Sequence, residues 1–280
     1  MNVAVTGASG FIGRRLTERL QRNGHQVRPV SLRGGVRTEQ LAGCAAVVNL
    51  AGEPVAQRWT AAARERIRAS RIDGTRVLVE AMRGHAPQVL ISASAVGFYG
   101  SRGDEILTEN SGAAQDFLGQ ICVEWEREAQ AALDLGVRVA CLRIGVVLGP
   151  GGGALQQMLF PFRLGLGGPL AGGKQWMSWI HVDDLTSLIV FLLKESTVRG
   201  AFNAVSPHPV TNAEFTRALG RTLRRPAFLP VPALALKLML GQMSQVILAS
   251  QRVIPEAASR AGFTFDYPDI FGALAKILPG

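Results

Sequence analysis

The chain has 280 residues, 48% of them hydrophobic and 18% charged, and a formal charge of +9. That suits one large α/β domain, or one domain with a smaller lobe, and excludes a disordered chain. Its 30 Lys and Arg residues are spread without a basic run, so the charge implies a basic surface and a phosphate-rich ligand rather than a nucleic-acid partner.

Val3-Ala4-Val5 reads as a buried strand. It leads directly into Thr6-Gly7-Ala8-Ser9-Gly10-Phe11-Ile12-Gly13, which opens a helix. The glycines have separate jobs. Gly7 permits a tight turn, and Gly10 lets the backbone approach a pyrophosphate without a Cβ in the way. Gly13 shares a helix face with Leu16 and Leu20, where a small residue brings helix and strand close together. Phosphates would then meet unpaired N–H groups at a helix N-terminus. Gly7, Ser9, Gly10, Phe11, Ile12 and Gly13 are therefore the expected dinucleotide loop.

A second strand, near Val27 to Val30, ends in Ser31-Leu32-Arg33. NAD-preferring sites usually carry an acid here for the ribose 2′-hydroxyl. None is present. Ser31 can donate to a phosphate oxygen and Arg33 can pair with a 2′-phosphate, which points to NADP(H); otherwise Arg33 is a solvated loop residue. A strand at Ala46 to Leu50 and a long helix from Ala61 to Met82 follow. At about 100° per residue, Arg71 falls in the stripe of Ile67, Gly74, Leu78 and Ala81. A guanidinium there needs an anionic partner, either a cofactor phosphate or a structural carboxylate. Arg66 lies on the rim of the same face.

Val89 to Ile91 and Val137 to Leu142 read as further strands, with a helix near Asp116 to Leu133 between them. Short apolar strands alternating with helices predict an α/β fold: a Rossmann-type, doubly wound parallel sheet. The pattern breaks at Gly149-Pro150-Gly151-Gly152-Gly153. Beyond it, helical stretches and turns at Pro226, Pro230 and Pro232 predict a smaller, mostly helical lobe over the carboxyl edge of the sheet. The expected division is residues 1–165 for the dinucleotide domain, with 178–205 returning to it, and 206–280 for a substrate or lid lobe. Asp183 and Asp184 are expected to cap the helix through Leu185 and Leu188, with His181 packing beside them.

Cys44, Cys122 and Cys141 show no metal or disulfide spacing and read as core residues of a reducing compartment, so no metal is expected. The first strand leaves no room for a signal peptide. The most apolar later stretch, Ala233 to Leu240, is too short to span a bilayer and carries Lys237. The expectation is a cytoplasmic monomer or homodimer with a small-molecule substrate, without a nucleic-acid or membrane partner.

Several motifs now combine: the loop from Thr6 to Gly13, Asn49-Leu50-Ala51-Gly52-Glu53, Ser70-Arg71-Ile72, and the run from Leu142 to Gly149. Trp179-Ile180-His181-Val182-Asp183-Asp184 and Asn203-Ala204-Val205-Ser206-Pro207 complete them. Together they resemble the extended short-chain dehydrogenase/reductases, and more narrowly their atypical epimerase-family branch, described as nucleoside-diphosphate-sugar epimerases. The resemblance covers essentially the whole chain. It implies an NADP(H)-binding domain with Ser31, Arg33, Leu50, Ala51, Gly52, Arg66, Arg71, Ser92 and Val146 near the cofactor. It also implies a C-terminal lobe of unknown function from about Pro230.

Members of that family usually transfer a proton with a Tyr, orient the oxygen with a Ser, and lower the Tyr pKa with a Lys four residues later. Ser94 follows the right strand and is the candidate serine, or else a cap or turn hydroxyl. The Tyr–Lys pair is missing. Four residues after Tyr99 stands Gly103, four after Tyr267 stands Phe271, and no lysine precedes Lys174. Tyr99 is the remaining candidate acid, or else it lines the nicotinamide pocket. Cys122 sits in an apolar helix, where a thiol is usually inert. The Arg that often holds a substrate pyrophosphate is Met177 here, between Trp176 and Trp179, which suggests a more apolar pocket; Arg163 and Lys174 remain for an anion. Two functions follow: an NADP(H)-dependent oxidoreductase or epimerase with a non-standard acid, or a non-catalytic NADP(H) sensor or partner-binding protein.

Overall fold

A computed structural model of the chain describes residues 1–278. The first half runs β1 (Asn2–Thr6), α1 (Phe11–Arg22), β2 (Gln26–Val30), β3 (Ala46–Asn49), α2 (Ala61–Ala81), β4 (Val89–Ala95), β5 (Ile106–Leu107), α3 (Phe117–Gln130) and β6 (Arg138–Ile144). The second half runs β7 (Val146–Leu148), α4 (Gly153–Arg163), β8 (Trp176–Met177), β9 (Trp179–His181), α5 (Val182–Lys194), β10 (Gly200–Ala204), β11 (Val210–Thr211) and α6 (Asn212–Leu223). It ends with α7 (Ala233–Leu240), α8 (Ser244–Leu248), β12 (Arg252–Val253), α9 (Glu256–Arg260) and α10 (Ile270–Ile277).

Six strands form one parallel sheet in the order β10-β6-β4-β3-β1-β2. Both faces are covered, as the continuous apolar strands require. Alternate residues of each strand serve opposite faces. Val3, Val5, Val48 and Ile91 pack with Leu16 and Leu20 of α1 and with Leu185 and Leu188 of α5. Ala4, Val47 and Leu90 pack with Leu78 and Met82 of α2 and Ala129 of α3. The winding switches sides at β1, with β2 on one side of it and β3 on the other, and Thr6 and Asn49 end β1 and β3 side by side. Doubly wound sheets bind their ligands at such a switch point.

The observed elements match the sequence expectations to within a few residues, with instructive extensions. β4 continues to Ala95 and β6 to Ile144, past the apolar runs, because Ser92, Ser94 and Arg143 are polar yet buried. The helix expected to reach Leu133 is α-helical only to Gln130. It then tightens into a 3₁₀ turn that ends at Gly136, whose φ of 73° only glycine adopts without strain.

A third core forms the smaller lobe. Leu155, Leu159 and Phe162 of α4 pack with Phe215 and Leu219 of α6 and with Ile270 and Leu274 of α10. The capping expectation for α5 is corrected here. His181 is the N-cap, its Nδ1 accepting from the Asp183 amide at 3.1 Å. Asp184 is buried and accepts from the backbone N–H groups of Asp266 (2.9 Å) and Tyr267 (3.0 Å), so it fastens the C-terminal segment to α5. Among the described residues no helix is long and apolar enough to cross a membrane.

Candidate functional site

The turn after β1 is built for close approach. Gly7 has φ of 66°, and a Cβ on it would stand 2.8 Å from the Leu50 backbone. A Cβ on Gly13 would overlap the Gly7 carbonyl, so α1 starts directly against the loop only because that residue is glycine. Gly10 is the N-cap of α1 and supplies no side-chain acceptor, which leaves first-turn N–H groups for a ligand. Thr6 ties the two strand ends together. Its Oγ1 donates to Asn49 Oδ1 at 2.6 Å and accepts from the amides of Leu50 and Ala51 at 3.2 Å each.

Around this turn lies a cavity of about 790 Å³ lined by Gly7, Ala8, Ser9, Gly10, Ser31, Arg33, Leu50, Ala51, Gly52 and Glu53. The walls from α2 are Ala69, Ser70, Asp73, Gly74 and Val77. Ser31 and Arg33 are both exposed, and the Arg33 amide donates to Ser31 Oγ at 3.2 Å. The two carboxylates that line the cavity are already engaged: Asp73 pairs with Arg76 at 2.9 Å, and Glu53 lies 3.6 Å from Arg66.

Several residues expected beside the cofactor stand elsewhere. Arg66 reaches the cavity only through Glu53. Ser92 is fully buried behind the wall, where its Oγ receives Asn49 Nδ2 at 3.4 Å, because its side chain points to the core face of β4. The Phe11 ring holds the glycine turn at Gly149, Gly152 and Gly153, and Ile12 packs against the sheet core. Any role of Phe11, Ile12 and Gly13 toward a ligand therefore belongs to their backbone.

Arg71 stands between this cavity and a second one. It lines the second, and its Cζ would lie 3.2 Å from a Cβ on Gly52, which lines the first. Its NH1 donates to the carbonyls of Glu53 (2.9 Å) and Ile67 (3.1 Å). No carboxylate comes within ion-pair distance among the described residues, so the expected structural carboxylate is not its partner. Burial lowers its pKa, partly offset by nearby acidic groups including Glu53.

The second cavity, about 260 Å³, is largely apolar. Trp59 and Phe117 form one side, and Leu118, Ile121, Cys122 and Trp125 of α3 another. Val146, expected near the cofactor, lies here, and the lobe supplies Gln245, Val246, Ala249 and Gln251. No motif marks these lobe residues in the sequence. Arg163 and Lys174 line neither cavity. Burial, then the Glu126 charge, pushes the Cys122 thiol up to about 11, so it stays protonated at neutral pH.

Ser94 and Tyr99, the candidate serine and acid, line neither cavity. Both belong to a buried network centred on Arg143 and Glu126. Arg143 Nε and NH2 each donate to a Glu126 oxygen at 2.9 Å, while NH1 donates to the Tyr99 hydroxyl at 3.0 Å. Ser94 Oγ donates to Glu126 Oε1 at 2.6 Å, and the Tyr99 hydroxyl donates to Asn203 Oδ1 at 2.6 Å. Tyr99 is 0% exposed. Its proton is committed to Asn203, and burial raises its pKa against the opposing pull of Arg143. For Arg143, burial disfavours the charge but the Glu126 carboxylate outweighs it, and the pKa rises. The sequence did hold a signal for this pair: an Arg within the apolar run Ala140-Cys141-Leu142-Arg143-Ile144 and a Glu directly after the buried Trp125. No group of metal-ligating side chains occurs among the described residues.

Comparison with known proteins agrees with this architecture. Residues 3–204 match the model of the "NAD dependent epimerase/dehydratase family", and residues 231–277 match a domain of unknown function, DUF1731. The Arabidopsis thaliana chloroplastic homolog of epimerase family protein SDR39U1 is 42% identical, covering 99% of this chain and 87% of that protein. The crystal structure of human epimerase family protein SDR39U1 with NADPH superposes with a TM-score of 0.92 at 34% identity, covering 99% of both chains. A Corynebacterium glutamicum nucleoside-diphosphate sugar epimerase gives a TM-score of 0.83 at 36% identity, over 99% of this chain and 58% of that one.

Proposed function

The chain belongs to the NAD dependent epimerase/dehydratase family, and from that premise we propose that it binds NADP(H) and exchanges hydride with an apolar carbonyl or hydroxyl compound. The observation that carries the cofactor choice is the end of β2, where the cavity wall offers an exposed Ser31 and Arg33 and no carboxylate. A 2′-phosphate gains charge-assisted hydrogen bonds there, whereas a ribose 2′-hydroxyl finds no carboxylate at the end of β2. The residues fit the whole cofactor. Gly7 and Gly13 clear the backbone for the pyrophosphate, the open N-terminus of α1 faces it, and Arg71 leads from the first cavity to the second. The human relative that superposes over the full chain holds NADPH, which supports the same choice here.

NADPH, when bound, supplies the hydride. Trp59, Phe117, Leu118 and Trp125 make the second cavity apolar, and Arg71 orients the substrate oxygen at its edge, where the proton that balances the hydride comes from solvent. Among the described residues Arg71 is the sole cationic side chain lining that cavity, which favours a small apolar substrate over a sugar nucleotide.

A second reading, a non-catalytic NADP(H) sensor, is favoured by one observation: the hydroxyls of Ser94 and Tyr99 are consumed in the Arg143–Glu126 network. The test is NADPH consumption across a panel of apolar aldehydes and ketones, with thermal unfolding measured alongside. Turnover supports hydride exchange. A Tm raised by NADPH without turnover supports the sensor. No rise in Tm defeats both.

A further inference from the structure

The small lobe carries an apolar surface that neither cavity uses. Helix α7 buries Leu236 and half-buries Leu240, while its other long apolar side chains stand in solvent: Leu238 is 79% exposed, Met239 76% and Leu234 67%. Beside it, Phe228 is 71% exposed, and Phe160 at the end of α4 is 72% exposed. These positions belong together. The segment after α4 pairs with the segment before α7, through Leu229 N–H to Gly167 O (3.2 Å), Val231 N–H to Pro169 O (3.0 Å) and Ala171 N–H to Val231 O (2.9 Å). The exposed Leu164 and Leu166 lie on that same strip. Large apolar side chains exposed together on paired segments mark an interaction surface.

Its charge says what kind. No Asp or Glu occurs between Asp134 and Asp183, nor between Glu214 and Glu256. Arg163, Arg224, Arg225 and Lys237 are exposed on these segments, and none pairs with a carboxylate among the described residues. A second copy of the chain would set like charges against each other across the same face, which opposes self-association. The exposures above also describe protruding side chains, not the recessed pockets that anchor a protein partner. Exposed Leu, Phe and Met with basic residues among them and no acid match the surface of a protein that lies on an anionic bilayer.

We propose that this face docks the protein on a membrane rich in anionic lipid, with α7 and Phe228 entering the headgroup boundary and Arg163, Arg224, Arg225 and Lys237 facing lipid phosphates. The expectation of no membrane partner rests on the absence of a span and does not cover a helix lying in the interface. The proposal is independent of the cofactor reading. It also places α8, which lines the second cavity and follows α7 directly, beside the bilayer.

The experiment is cosedimentation of the full chain with vesicles of phosphatidylcholine containing phosphatidylglycerol, against vesicles of phosphatidylcholine alone. The expected result is pelleting with the anionic vesicles, weakened by salt. Arg225→Gln and Lys237→Gln should each reduce the apparent affinity on the order of fivefold. A Leu238→Ser/Met239→Ser variant should reduce it roughly tenfold, while its urea unfolding midpoint matches that of the parent and shows the fold intact. Equal pelleting on neutral vesicles, no pelleting on anionic ones, or full pelleting of the Leu238→Ser/Met239→Ser variant overturns the proposal. So does light scattering that finds a dimer split by Leu238→Ser, or a Leu238-dependent complex with an acidic protein in place of vesicle binding.

Discussion

The two cavities are made in different ways. The first is made by backbone: a tight glycine turn, an uncapped helix start and two strand ends joined by Thr6 and Asn49. The second is made by side chains from α3, the turn after β6 and the C-terminal lobe, with the buried Arg143–Glu126 pair close behind its wall. A backbone site leaves a short local motif, because each glycine answers to one steric demand. A site assembled from distant segments leaves none, and its chemistry can drift while the fold persists.

The largest effect should fall on the second region. Arg143→Ala leaves Glu126 charged, buried and unpaired, at about 3–5 kcal/mol of stability. Urea unfolding measures it. A loss within 1 kcal/mol would show that water reaches the pair, and the wall would be softer than its 7% side-chain exposures indicate.

Asp184 sharpens the comparison through pH, because it ties the lobe to the sheet domain. Burial raises its pKa from 3.8 to about 6, with the amides of Asp266 and Tyr267 pulling the other way. The folded state thus holds this proton more tightly than the unfolded chain. Its contribution is fully present below 3.8 and lost as pH rises through 6, roughly 3 kcal/mol in all. Between pH 4 and 6 the parent should lose about 2 kcal/mol of that stability relative to Asp184→Asn. Parallel curves for the two proteins would mean that the carboxylate is solvated.

Gly7→Ala breaks the first region alone. The positive φ and the Leu50 backbone at 2.8 Å leave no place for a methyl group. NADPH affinity should fall about a hundredfold, with a stability loss on the order of 1–3 kcal/mol. Unchanged affinity by fluorescence titration would show that the turn does not touch the pyrophosphate.

Tyr99→Phe is the smallest change and separates structure from chemistry. It leaves Asn203 Oδ1 and one Arg143 N–H without a partner, about 1–2 kcal/mol. NADPH consumption by the folded variant should match the parent. Abolished turnover with unchanged stability would restore Tyr99 as the acid.

What was legible in the sequence follows the same division. The parallel, helix-covered sheet rests on periodicity and short connections, and the glycine loop on local sterics, so both could be read from Val3 to Gly13 and from the strand–helix alternation. The hydrogen-bond partners of Ser94 and Tyr99 were hidden because a position at the end of β4 or just beyond it says nothing about which way a hydroxyl points. The acceptor of Ser94 is 32 residues away in sequence, and that of Tyr99 is 104. The role of Asp184 was hidden for the same reason, since its partners Asp266 and Tyr267 lie 82 and 83 residues further on. Gln245 and Gln251 reach the second cavity from a lobe whose packing no local pattern announces.

Isothermal titration calorimetry of the parent and of Arg33→Ala with NADPH and NADH tests the cofactor assignment most directly. The parent should take up NADPH at least tenfold more tightly than NADH, and Arg33→Ala should remove that preference while leaving NADH binding as it was. A parent that binds neither nucleotide, or that prefers NADH, would contradict it.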